Sequence, residues 1–119
     1  MSRRPARPTV DEVIPRRTRR EHLDTYVILR RDGWRTVEDL QDAAARSTAE
    51  GERMPDDIAW IRSYFLDELG GGVGIICIYQ ASSPEAIRAH AERAELPVDE
   101  IVKVADTVIV RPDPLPAAA

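Results

Sequence analysis

A chain of 119 residues, 32% charged and 43% hydrophobic, has the size and composition of one ordinary water-soluble domain with a modest core. Its single cysteine excludes an internal disulfide and an iron–sulfur cluster held by this chain alone. No apolar run approaches the ~18 residues of a membrane-spanning helix.

The net charge of −4 conceals a split. Residues 1–20 hold seven arginines against Asp11 and Glu12, whereas residues 21–119 hold ten basic and nineteen acidic residues. Pro5, Pro8 and Pro15 stand among the arginines with little apolar content, so residues 1–22 read as a disordered basic arm. Arg16-Arg17-Thr18-Arg19-Arg20 can neutralise a few phosphates, which gives weak, salt-sensitive nucleic-acid binding at most. No aromatic residue interleaves with them for base stacking, and the acidic body repels phosphate. No apolar segment follows the arginines as it would in a secretory signal, so the expected location is the cytoplasm.

The domain proper is expected over residues 23–111. Tyr26 to Arg30 is a short strand-forming run, with Asp32-Gly33 as a turn signal after it. Thr36 suits a helix N-cap, Glu38 and Asp39 suit the first turn, and Val37, Leu40, Ala44 and Thr48 follow helical spacing up to Gly51. Ile58 to Leu66 is rich in β-branched and aromatic residues and predicts a strand. Asp67 to Gly72 is a hairpin loop, and Val73 to Ala81 is the next strand. Ser82 and Glu85 have capping-box spacing with Pro84 in the first turn; Ile87, His90, Ala91 and Ala94 should then face the sheet. Ile101 to Val104 and Thr107 to Val110 read as one bent or two short final strands. Residues 112–119 form a Pro/Ala-rich tail.

The order β-α-β-β-α-β predicts an α+β, ferredoxin-like sandwich: an antiparallel four-stranded sheet with both helices on one face. Val73 to Tyr79 is apolar at odd and even positions alike, so the second face also needs a cover. A second copy packed sheet on sheet supplies one, which gives a homodimer of the dimeric α+β barrel type.

Ile61-Arg62-Ser63-Tyr64, the glycine loop, Cys77-Ile78-Tyr79-Gln80-Ala81, Glu85-Ala86-Ile87, His90 and Leu96-Pro97 occur in an order that resembles a small bacterial domain-of-unknown-function family, common in actinobacteria. That family includes a dimeric nickel-binding protein with a ferredoxin-like fold. The likeness covers about residues 24–110. It implies a dimer, and nickel or another divalent metal as a ligand, with His90 the metal-binding residue that carries over. The chain departs from the family pattern at Gln80, where members often have Glu, and at Ala94, where some have a second His.

The residues themselves leave two functional readings. For a metal, His22 and His90 are the imidazoles each chain offers, and a dimer doubles them, with Glu92 or Glu95 as further donors. For a small-molecule ligand, the period of two places Trp60, Arg62 and Tyr64 on one face, where Gln80 and His90 can join them in a pocket. Such a pocket suits binding, or a cofactor-independent monooxygenase- or cyclase-like enzyme with His90 in acid–base chemistry. Trp60 and Tyr64 also suit anchors of a dimer interface. Cys77 reads as a buried thiol, and the glycine loop lies between strands, not before a helix as in a phosphate-binding turn. Catalytic residues are not assigned.

Overall fold

The computed structural model describes residues 23–115, so the expected arm at residues 1–22 and the end of the tail lie outside the described residues. The elements are β1 (Asp24–Trp34), α1 (Val37–Gly51), β2 (Ile58–Asp67), β3 (Val73–Ala81), α2 (Pro84–Ala94) and β4 (Glu100–Lys103). They build a small α+β domain with one antiparallel sheet in the order β2-β3-β1-β4. Both helices lie on one face. Tyr79 of β3 marks that face, since its hydroxyl meets Ser47 of α1 and its ring meets His90 of α2. The arrangement is consistent with the ferredoxin-like expectation. No helix among the described residues is long and apolar enough to cross a membrane.

Local chemistry explains the element ends. Thr36 caps α1, its hydroxyl accepting from the amide of Asp39 at 3.1 Å. Leu40, Ala43 and Ser47 form its buried face; of the predicted Val37, Leu40, Ala44 and Thr48 only Leu40 is fully buried, and Val37 and Thr48 are exposed, because the helix is rotated toward Ala43 and Ser47. Ser83 caps α2 by accepting from the amide of Ala86, with Pro84 where its lacking N–H costs nothing. Glu95 turns left-handed at φ 58°, which lets the amide of Leu96 close back on Ala91 and end the helix. Ile87, His90, Ala91 and Ala94 face the sheet as their spacing predicts. The core between sheet and helices gathers Tyr26, Ile28, Leu40, Ile75, Cys77 and Ile87.

Three further expectations are corrected. Asp32-Gly33 does not end β1, because the strand continues through an irregularity between Arg30 and Trp34, with Asp32 at φ 50°. The α2 cap is Ser83 and not Ser82, whose hydroxyl instead donates to Asp57 at 2.9 Å. Residues 107–110 form no strand. In the β1–β4 register Lys103 opposes Tyr26, so residues 107–110 would need partners before β1 begins at Asp24. Val108, Ile109 and Val110 are therefore left exposed.

A bulge in β2 has the largest effect on function. Trp60 opposes Tyr79 and Arg62 opposes Ile78, so Ile61 is an extra residue. Every side chain after it moves to the other face relative to a regular strand.

Candidate functional site

The helix-facing side of the sheet opens, at the β2 edge, into a cavity of about 650 Å³ lined by Ser47, Gly51, Ile58, Trp60, Tyr79 and His90, among others. Each wall has a structural cause. Trp60 reaches the cavity because the Ile61 bulge leaves it on the Tyr79 side, with the two rings 6.1 Å apart. Its indole N–H donates to Ser63 at 2.7 Å, which holds the ring in place. Tyr79 and Ser47 share a hydrogen bond of 3.0 Å between their hydroxyls. His90 rises from α2 with its ring edge against Tyr79, 5.6 Å between centroids, and its Nε2 donates to the main-chain oxygen of Ser47 at 2.9 Å.

Burial shapes the titration of the site. It pushes the Tyr79 phenol above its ordinary value, against the opposing Ser47 hydrogen bond. It holds His90 below the ordinary imidazole value, and the nearby Arg30 guanidinium acts in the same direction. At neutral pH the site therefore presents a neutral imidazole and a neutral phenol.

The five predicted pocket residues separate into two groups. Trp60 and His90 line the cavity together. Arg62 and Tyr64 lie on the opposite, open face, because the bulge at Ile61 inverts them relative to Trp60; this corrects the expectation that the three share one face. They border a second cavity, about 750 Å³, between the sheet and the C-terminal segment, where both bind Asp113 at 2.7 and 2.8 Å. Gln80 also belongs to the open face, opposite Thr25 and Ala59, and so does not meet His90. The spacing of residues does not single out Ser47, Tyr79 or Arg30 as members of the site. A signal existed for Arg30: in β1 it shares the period of Tyr26 and Ile28, which points a charge into an apolar face.

Fold and cavity together define a small α+β module with an open antiparallel sheet and an aromatic-walled cavity under its helices, open at the β2 edge and lined in part by Glu52. Residues 26–104 match the model of the family described as nickel responsive protein SCO4226-like, and the chain belongs to this family. No curated protein and no solved structure matches the chain.

The family description raises nickel, which takes imidazole and usually several protein ligands. Among the described residues no three His, Cys, Asp or Glu side chains come together. His90 engages Ser47 through Nε2, and its Nδ1 is buried without a partner. His22 lies outside the described residues. The described residues of one chain therefore do not fit a nickel site.

Proposed function

We propose that this protein is a ferredoxin-like, dimeric, cytoplasmic binding protein that holds a small-molecule ligand beside Trp60, Tyr79 and His90. The carrying observation is the cavity under α1 and α2, with an aromatic wall and a few converging polar groups, the usual make-up of a ligand site. Binding is favoured over acid–base catalysis because His90 offers neither a free Nε2 nor a solvent-reached Nδ1. Titration of a ¹⁵N-labelled sample with a mixed set of neutral and charged fragments tests this. Shifts should cluster at Ser47, Gly51 and Trp60; a set that perturbs only the open face would overturn it.

The dimer is supported by the open face. Val27, Leu29, Ile76 and Ile78 line it only half-buried, and Tyr64 and Val102 are exposed. The C-terminal segment bridges to Arg62 and Tyr64 but leaves space above the sheet instead of packing on it. Apolar surface of this extent marks association. Sedimentation should give twice the chain mass of 13.3 kDa at micromolar concentration, and a stable monomer there would refute the pairing.

Nickel binding is a second reading, favoured by family membership. It draws its further donors from a second subunit or from residues outside the described set. Calorimetric titration of nickel into wild type and His90→Ala tests it: negligible heat from both proteins removes nickel as a direct ligand, and equal strong heats remove His90 from the ligand set.

A further inference from the structure

The cavity of about 650 Å³ sits at the C-terminal end of α1. Ser47, Thr48 and Gly51 from the end of that helix form one wall, and Glu52, the residue that follows it, stands exposed at the rim. A helix concentrates partial negative charge at this end, and the last turn of α1 holds no basic residue to offset it. Glu52 adds a full negative charge, and Glu50 from the same turn acts electrostatically on His90 at the opposite wall.

No cationic side chain answers these charges at the wall. Among the described residues that line the cavity none is Lys or Arg, and burial keeps His90 neutral at neutral pH. Arg46 donates to the main-chain oxygen of Ala94 at the end of α2, 2.9 Å away. Arg30 lies deeper, 1% exposed, and donates to the main-chain oxygen of Pro97 at 2.7 Å.

Trp60 supplies the second half of the argument. Its indole N–H is already taken up by Ser63, yet 36% of the residue remains exposed, so what it offers a ligand is the face of the ring. That face attracts cations, and tryptophan does so more strongly than tyrosine or phenylalanine. A bare divalent metal ion is a poor match for the same walls. It needs several donors, whereas Glu52 and His90 are the ligating types among the described lining residues, and Nε2 of His90 is engaged by Ser47. An ammonium group carries its charge without demanding a coordination shell.

We propose that the cavity binds a small organic ammonium ion. Its charged head lies at the rim, where the end of α1, the Glu52 carboxylate and the Trp60 ring converge, and its apolar body lies inward toward Ile58 and Tyr79. This rests on the cavity reading above and adds the chemical class of the ligand.

The test uses three probes with the same ring and different charge: benzylammonium, benzyl alcohol and benzoate, added to the full ¹⁵N-labelled chain at neutral pH and constant ionic strength. The readouts are the Trp60 indole N–H and the amides of Ser47, Gly51 and Trp60. Benzylammonium should bind at least about fivefold tighter than benzyl alcohol, and benzoate should bind weakest. Glu52→Gln, a change at an exposed position, should cut the preference for the ammonium at least about twofold. Equal binding of the ammonium and the alcohol, or tighter binding of benzoate, overturns the ammonium assignment and leaves the cavity reading standing. A preference that is unaltered in Glu52→Gln, or ammonium-dependent shifts spread over the acidic surface instead of these residues, also overturns it. No response of these residues to any probe overturns both readings.

Discussion

Nε2 of His90 in α2 donates a hydrogen bond to the main-chain oxygen of Ser47 in α1, 2.9 Å away, so the two helices are tied at the wall of the cavity. A carbonyl can only accept, so the neutral ring carries its proton on Nε2 and its lone pair on Nδ1, which is buried without a donor. Burial keeps the folded pKa below the ordinary value; Arg30 from β1 adds to the depression, while the Ser47 bond and Glu50 from α1 oppose it. The sign of the pH effect follows. Above the unfolded value of about 6.5 both states are neutral and pH has no effect through this group. As pH falls below it, the unfolded chain takes up a proton that the folded chain resists, so stability declines until the folded pKa is reached. The slope from one such group is at most about 1.4 kcal/mol per pH unit. In His90→Gln, which keeps a donor for Ser47, urea unfolding at a series of pH values should show a shallower loss below about pH 6.5. An unchanged slope would mean that His90 is not the titrating group.

Tyr79→Phe removes one partner of the buried hydroxyl pair and strands Ser47 Oγ, since Ser47 is only 4% exposed. A loss of about 1–3 kcal/mol in unfolding free energy is expected. Ser47→Ala combined with Tyr79→Phe should cost less than the two single changes added together, because the second removes a group the first has already orphaned. Strict additivity by denaturant unfolding would contradict the hydrogen bond.

Gly74 in β3 lies under the Glu68 carboxylate and near the main-chain oxygen of Arg30, so a methyl group there collides with both. Glu68 is held in place by the Arg31 guanidinium at 2.7 Å and the amide of Asp32 at 2.7 Å, the contacts that also keep its carboxyl below the usual acid range. Gly74→Ala should destabilise the fold by about 1–3 kcal/mol through overpacking. In a Glu68→Ala background, part of that penalty should vanish, which thermal unfolding of the two single variants and the double variant will reveal.

Asp113 draws the C-terminal segment to the open face through Arg62 and Tyr64. The hydrogen bond from Arg62 holds its carboxyl below the ordinary value, so the tether is complete at neutral pH and is lost as pH falls through that lowered pKa. These contacts are solvent-exposed, so Asp113→Asn should leave the melting temperature nearly unchanged. Its effect belongs to motion: ¹⁵N relaxation should show faster local motion for residues 104–113 in the variant, and no change there would dismiss the tether.

Much of the fold is legible in local chemistry. Thr36 and Pro84 mark helix starts because caps act within a turn or two of chain, whereas α1 ends after Gly51 with Glu52, not a left-handed glycine, as its cap. The spacing of Ile87, His90, Ala91 and Ala94 predicts the buried face of α2, and the alternation in β3 separates Cys77 and Tyr79 from Ile78 and Gln80. The candidate site is much less legible. Its geometry turns on the bulge at Ile61, and no turn residue or glycine announces it; only the pairing of β2 with β3 shows that Trp60 and Arg62 part company.

The sequence by itself therefore determined the element order, the α1 cap at Thr36 and the buried face of α2, because these depend on periodicity and on hydrogen bonds between near neighbours. The tertiary structure alone decided which side chains meet. Registers between strands distant in sequence brought Trp60 and Tyr79 to one wall, sent Arg62, Tyr64 and Gln80 to the other face, and left residues 107–110 without a strand to pair with. The same long-range packing closed the helices over Arg30, turning a charged residue at the end of a short apolar run into a buried cation beside a cavity.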